Sequence, residues 1–291
     1  MRPAREKPAM FALVPPSRPS RLRGVSMAGF HDQGPEPVVM RAVPHPAVNL
    51  SFDLSPGALL VDGGTGSRQG NLVAGPALGD LRVSGRGVEI VRVRLSPVVA
   101  YTVLGTSPAE VAGALVDLDE LWGRDTARLW ERLRQARSWQ DRFALTDDLV
   151  ARRYEAGREG RSVPHEVTRA WGLIVRNGGR IRVEALAAEI GWSRKRLWSR
   201  FRAHIGLTPH RAAKLVRFHH AAHRLAGGQS PARAAADSGY YDQSHLHRDV
   251  RAFTGDTPVA LAGEPLLAVD DLAWPAGPRD REASRAMPAR R

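Results

Sequence analysis

The chain has 291 residues, 43% of them hydrophobic, with a formal net charge of +13 and no cysteine. That length accommodates two domains with a core in each, and the apolar fraction excludes wholesale disorder. The lack of cysteine excludes disulfides, thiolate metal sites and cysteine nucleophiles, and no run nears the ~18 to 20 apolar residues of a membrane span.

Residues 1–27 are dominated by Pro, Arg and Ser without any period, which predicts a disordered extension. Its apolar run Met10 to Val14 is too short for a signal-peptide core, so the protein is expected in the cytoplasm, and Met27 offers an alternative start. From Val38 to Val103 short apolar runs alternate with turn residues: VVMRAV, AVNLSFDL, ALLVDGG, NLVAGP, LRVSG and VEIVRVRLSP. Such runs predict the strands of a small barrel or sandwich, and the alternation Val91-Arg92-Val93-Arg94-Leu95 predicts one buried and one wet face. Gly63-Gly64-Thr65-Gly66 lacks the Gly-Lys-Ser/Thr of a phosphate loop and reads as a hairpin turn.

Ser107-Pro108-Ala109-Glu110 supplies an N-cap, a first-turn proline and a capping-box glutamate, predicting a helix from Pro108 to about Val116. Asp125 and Ser138 can cap two more helices, the second running to about Glu155. These elements complete a β-rich domain over 28–157, closed by a glycine- and charge-rich linker at 158–163. Residues 164–262 read as almost wholly helical, and 263–291 as a disordered Pro/Ala/Arg/Asp tail. The fold class expected is therefore α+β with two domains, an N-terminal barrel-like or sandwich unit followed by an all-α unit.

The charge is not spread evenly. Residues 1–160 hold 21 Lys/Arg against 18 Asp/Glu, residues 161–260 hold 17 against 7, and the remainder 5 against 5. An excess concentrated in the helical hundred residues points to a polyanion partner.

That region contains an internal repeat. Val183 to Pro209 and Arg233 to Pro258 each read as a short helix, a turn glycine, a longer basic helix and a Gly-x-Thr-Pro exit. Gly191 and Gly239 are 48 apart, whereas Leu197 and Leu246, and Pro209 and Pro258, are 49 apart, so the second turn carries one added residue. Each unit is a helix-turn-helix in which the glycine supplies the reversal and Ser193 or Asp242 caps the second helix. Leu197 and Phe201 face inward on the first such helix, leaving Lys195, Arg196, Trp198, Ser199 and Arg202 outward; Leu246, Val250 and Phe253 leave Ser244, His245, Arg248 and Arg251 outward on the second. A helix with such a face fits the major groove of duplex DNA. The helix between the units, HRAAKLVRFHHAAHRLA, has one apolar face and could set both readers about one DNA turn, roughly 34 Å, apart.

The segment Val163 to Leu261 resembles the DNA-binding domain of the AraC/XylS family of bacterial transcription regulators. The likeness is carried by Gly239-Tyr240-Tyr241-Asp242-Gln243-Ser244-His245-Leu246-His247-Arg248 with its Gly255-Asp256-Thr257-Pro258 exit, and covers about a third of the chain. Val250 departs from the family's aromatic. The resemblance implies base contacts from Lys195, Trp198 and Ser199 and from Gln243, Ser244, His245 and Arg248. It also implies double-stranded promoter DNA and RNA polymerase as partners. The N-terminal part is similar to a poorly characterised β-rich domain of some members, which implies a sensor that binds a small effector or forms a homodimer.

Competing readings are weaker. His219, His220 and His223 have the spacing to share an ion, but no carboxylate or cysteine joins them. His31 and His45 fall in the β region, where a cupin-like enzyme keeps metal ligands, yet the His-x-His and later Glu and His of such a site are missing. No catalytic residue, metal or cofactor is therefore assigned. The rivals are a metal-binding β-barrel enzyme with a docking helical domain, and an architectural DNA binder without sequence preference.

Overall fold

The computed structural model describes residues 12–264 and 267, apart from 33, 35, 64, 65 and 80. In chain order its elements are β1 (Ala12–Val14), β2 (Val25–His31), β3 (Val38–Ala42), β4 (Val48–Asp53), β5 (Leu60–Gly63), β6 (Gly66–Arg68), β7 (Leu72–Ala74), β8 (Leu81–Gly85), β9 (Glu89–Leu95), α1 (Pro97–Leu104), α2 (Pro108–Val111), β10 (Leu115–Asp117), α3 (Leu118–Trp122), α4 (Arg124–Gln135) and α5 (Trp139–Gly157). The helical half follows with α6 (His165–Arg176), α7 (Val183–Ile190), α8 (Arg194–Ile205), α9 (Pro209–Ala226), α10 (Pro231–Asp237), α11 (Gln243–Thr254) and α12 (Pro258–Ala262).

The strands form two antiparallel sheets, ordered β1-β2-β9-β4-β7-β10 and β3-β8-β5-β6. They share no paired strand, so the domain is a sandwich and not a closed barrel. Ala28, Phe30 and Ile90 of the larger sheet pack on Val38, Met40 and Val83 of the smaller one. On its other face Val48, Leu50, Phe52, Val91, Val93 and Leu95 meet α1, α3, α4 and α5 through Val103, Leu118, Leu133 and Val150. A strand buried on both faces does not keep a wet side. Arg92 and Arg94 accordingly turn into the space between the sheets, where Arg94, 8% exposed, donates from Nε to Asn49 Oδ1 at 3.3 Å.

Four local expectations need correcting. Residues 1–27 are not an extension throughout: β1 pairs with β2, and β2 already runs through Val25, Ser26 and Met27. Between them Ser20 and Arg21 are tied to Asp147 of α5, at 2.5 and 2.8 Å, so side-chain contacts order a stretch whose composition lacks periodicity. Residues 1–11 lie outside the described residues. VVAYTVL is helical in α1 despite its β-branched residues, because Pro97 starts the turn, Gly105 ends it at φ +78°, and burial overrides propensity. The helix at Pro108 has its capping box from Ser107 and Glu110 but ends at Val111, since Leu115–Asp117 pair with β7 as an edge strand. Asp125 sits inside α4, not at its cap, and pairs with Arg153 at 2.9 Å.

Residues 64 and 65 of the glycine loop lie outside the described residues, while Gly63 and Gly66 on either side pair across the β5–β6 hairpin. The tail from 263 is almost wholly outside them too. In the helical half one apolar core runs through both repeat units and the helix between them, joining Ile174, Leu186, Leu197 and Phe201 to Leu215, Phe218, Leu225, Leu246 and Val250. Among the described residues no helix is long and apolar enough to cross a membrane.

Candidate nucleic-acid interface

Each unit is built by the same local chemistry. α7 ends at Gly191 with φ +74°, and Ser193 then caps α8 by accepting from the Arg196 amide at 3.3 Å. α10 gives way to Gly239 at φ +78°, and Asp242 caps α11 through the His245 amide at 2.6 Å. A left-handed backbone of this kind favours glycine, which has no Cβ to clash. The Asp242 carboxylate also complements the positive end of the α11 dipole.

The two turns differ by one residue. Gly191 and the cap Ser193 enclose Trp192; Gly239 and the cap Asp242 enclose Tyr240 and Tyr241. Tyr240 turns inward, 5% exposed, and the additional tyrosine is left 93% exposed beside the start of α11. The count of spacings places the insertion without singling out Tyr241, whose signal is a second aromatic between the turn glycine and the cap with no apolar neighbour one helical turn away.

The inward residues anchor these helices. Leu197, Phe201 and Ile205 of α8 and Leu246 and Val250 of α11 are all fully buried. Burying side chains of this size contributes about 1.5–3 kcal/mol each before entropy is counted. Every outward candidate on α8 is exposed: Lys195, Arg196, Trp198, Ser199 and Arg202. Arg202 lies 5.3 Å from the Trp198 ring and Arg196 4.6 Å from the Trp192 ring, contacts that stiffen long side chains before a ligand arrives. On α11 Gln243, Ser244, Arg248 and Arg251 are exposed, whereas His245 is half-buried with its ring edge 5.1 Å from Tyr240. Asp249, the sole acid on α11, is 3% exposed and points away from that face. Sequence reading passed over it because its partners lie a helix away.

The N-terminal domain touches α8 and α11 at their C-terminal ends. Ser107 Oγ donates to the Ala203 carbonyl at 2.5 Å, the Tyr101 and His204 rings lie 5.0 Å apart, and Gly206 packs on the Pro108 carbonyl. At the equivalent corner of the second unit Arg41 is ion-paired with Asp256 and donates to the Thr254 carbonyl. The N-terminal halves of α8 and α11, where Lys195–Ser199 and Gln243–Arg248 lie, remain uncovered.

His31 lies apart from His45, His219 and His223. His31 stands 4.0 Å from Glu89 and edge-on to Trp139, while His45 meets His219, itself against His223, at ring separations of 4.3 Å. Among the described residues no group of three or more His, Asp or Glu is placed to hold a metal. A cavity of about 80 Å³ lies between the sheets, lined by Phe30, Leu72, Val83, Arg92 and Arg94 and also by His219 of α9.

A family model described as a helix-turn-helix domain matches residues 186–263, taking in α8 and α11. No curated protein matches the sequence. Similar solved structures include ToxT from Vibrio cholerae, at 12% identity over 82% of this chain and 98% of that one, TM-score 0.48. They also include unsaturated-fatty-acid-bound ToxT from Vibrio cholerae, at 9% identity, 85% and 97% coverage and TM-score 0.47. The AraC-like transcriptional activator CuxR aligns at 13% identity, 66% and 80% coverage and TM-score 0.27.

Proposed function

We propose that the chain is a DNA-binding transcription regulator of the AraC type that reads one operator with both of its helix-turn-helix units, α8 and α11, in successive major grooves. The observation that carries this is the repeat: two exposed basic faces of the same construction, offset by 48 to 49 residues and joined through one helix and one core. Lys195, Arg196, Trp198, Ser199 and Arg202 serve the first groove, Gln243, Ser244, His245, Arg248 and Arg251 the second. Arginine and glutamine can each make two hydrogen bonds to a base edge, and the remaining cations hold phosphates.

The sandwich is the sensor in this reading. Its cavity has room for several waters or a small ligand, and its wall includes both sheet residues and His219 of α9. A ligand there touches the helix that joins the two readers. RNA polymerase is the downstream partner, and the site of action is the chromosome in the cytoplasm.

Genome-wide immunoprecipitation of DNA with the tagged protein tests the reading. Recovery of a recurrent two-part sequence with its halves about one helical turn apart is the expected result. Uniform recovery, with affinity falling steeply in salt for all sequences alike, would favour an architectural binder.

A further inference from the structure

The second reader is held differently from the first. At the position where α8 places Phe201 against the core, α11 has the smaller Val250, and next to it stands Asp249 where α8 has the exposed Arg200. The Asp249 carboxylate is buried against α9, 2.9 Å from Lys214 Nζ and 3.6 Å from the Arg217 guanidinium. Arg217 in turn lies 4.7 Å over the ring of Tyr240, the buried residue of the inserted turn. Burial, reinforced by the Asp249 charge, pushes the Tyr240 phenol above its ordinary range, while Arg217 acts against that shift. A carboxylate, two cations and a phenol thus tie the start and middle of α11 to the linking helix.

We propose that Asp249, with Lys214 and Arg217, is a positioning clamp that fixes the direction of α11 against α9 and thereby the half-site spacing the protein accepts. The inference rests on the two-groove reading above. A short apolar stripe such as Leu246 and Val250 attracts without direction and tolerates a roll of the helix. A buried ion pair adds little net stability over an apolar substitute, but any orientation that separates its members leaves an uncompensated charge. The clamp therefore acts on geometry more than on stability. Lys214 and Arg217 are occupied inside the protein and are positioning residues, not DNA contacts.

Spacing matters because each inserted base pair turns the second half-site by roughly 35° about the duplex axis. A clamped α11 cannot follow that turn; a loosened one can. The test starts with the full chain and a random-sequence duplex pool, from which the bound sequence is selected. Its affinity is then measured for the selected duplex and for versions with one base pair added or removed between the halves. The wild type is expected to lose about tenfold or more on either change. Asp249→Leu combined with Lys214→Met and Arg217→Met, which replaces all three charges by apolar side chains, is expected to lose no more than about threefold while keeping its cooperative melt. Asp249→Asn gives the same reading should that variant fail to fold. Spacing discrimination equal to that of the wild type in a folded variant would overturn the clamp alone. If the wild type enriches no sequence from the pool, the two-groove reading falls and the clamp's role with it.

Discussion

Gly206, which ends α8 at φ +84°, lies so close to Pro108 of α2 that a Cβ would stand 2.5 Å from the Pro108 carbonyl oxygen. Gly191 has a similar φ of +74° but open space around it. Alanine at either position incurs the left-handed cost of about 1–2 kcal/mol. At Gly206 it must also push two domains apart, since the obstructing atom is backbone. Gly206→Ala is therefore expected to be the more destabilising by at least about 1 kcal/mol, measured as the difference in urea-unfolding free energy between the two variants.

Arg248 is exposed on the outward face of α11. Arg248→Ala should leave the thermal midpoint unchanged and weaken operator binding by about 1–3 kcal/mol, with relaxed preference at a single base pair. Arg196→Ala, by contrast, should lower the salt dependence of binding to all sequences by about one counterion. Titrations of both variants at two or more salt concentrations against specific and unrelated duplexes separate these roles.

The ion pair between Arg41 of β3 and Asp256 beyond α11 links the smaller sheet to the second unit. The side chains are 17% and 35% exposed, so solvent screens part of their attraction. A double-mutant cycle with alanine at each position should return a coupling energy of about 1 kcal/mol. Coupling indistinguishable from zero would mean that this corner does not hold the domains together.

The helical half was largely legible because its signals are local. Gly191, Ser193, Gly239 and Asp242 act through their own turns, so the caps and reversals read from them recur in the structure. The strands from β3 to β9 were legible for a similar reason, apart from the short β6. α1 was hidden by its valines, β1 and β2 by the Pro-, Arg- and Ser-rich composition before and between them, and β10 by following the helix-start signal at Ser107. The exposed faces of α8 and α11 followed from helical spacing; the inward turn of Asp249 did not, because it depends on Lys214 and Arg217 of another helix.

The Tyr240 phenol is raised by burial and by Asp249, which gives the second unit an alkaline sensitivity. Below pH of about 10 folded and unfolded tyrosine are both protonated and the shift contributes no pH dependence. Above it the unfolded chain loses this proton first, so stability falls as pH rises toward the folded value. Raising the pH from about 8 to about 10.5 should lower the thermal midpoint more in the wild type than in Tyr240→Phe. An equal drop in both would place the alkaline transition elsewhere.

The three-residue strand at Ala12–Val14 has a consequence for where this chain can safely begin. It covers the free side of β2 from Gly29 to His31, and the Arg21–Asp147 tie holds the segment between them in place. A product started at Met27 would begin inside β2, opposite Val93, with that outer rim bare. Uncovered rims of this sort template pairing between molecules. A variant lacking Ala12–Val14 is therefore expected to self-associate more readily than the full chain, so that β1 acts as a cover for the edge of the larger sheet.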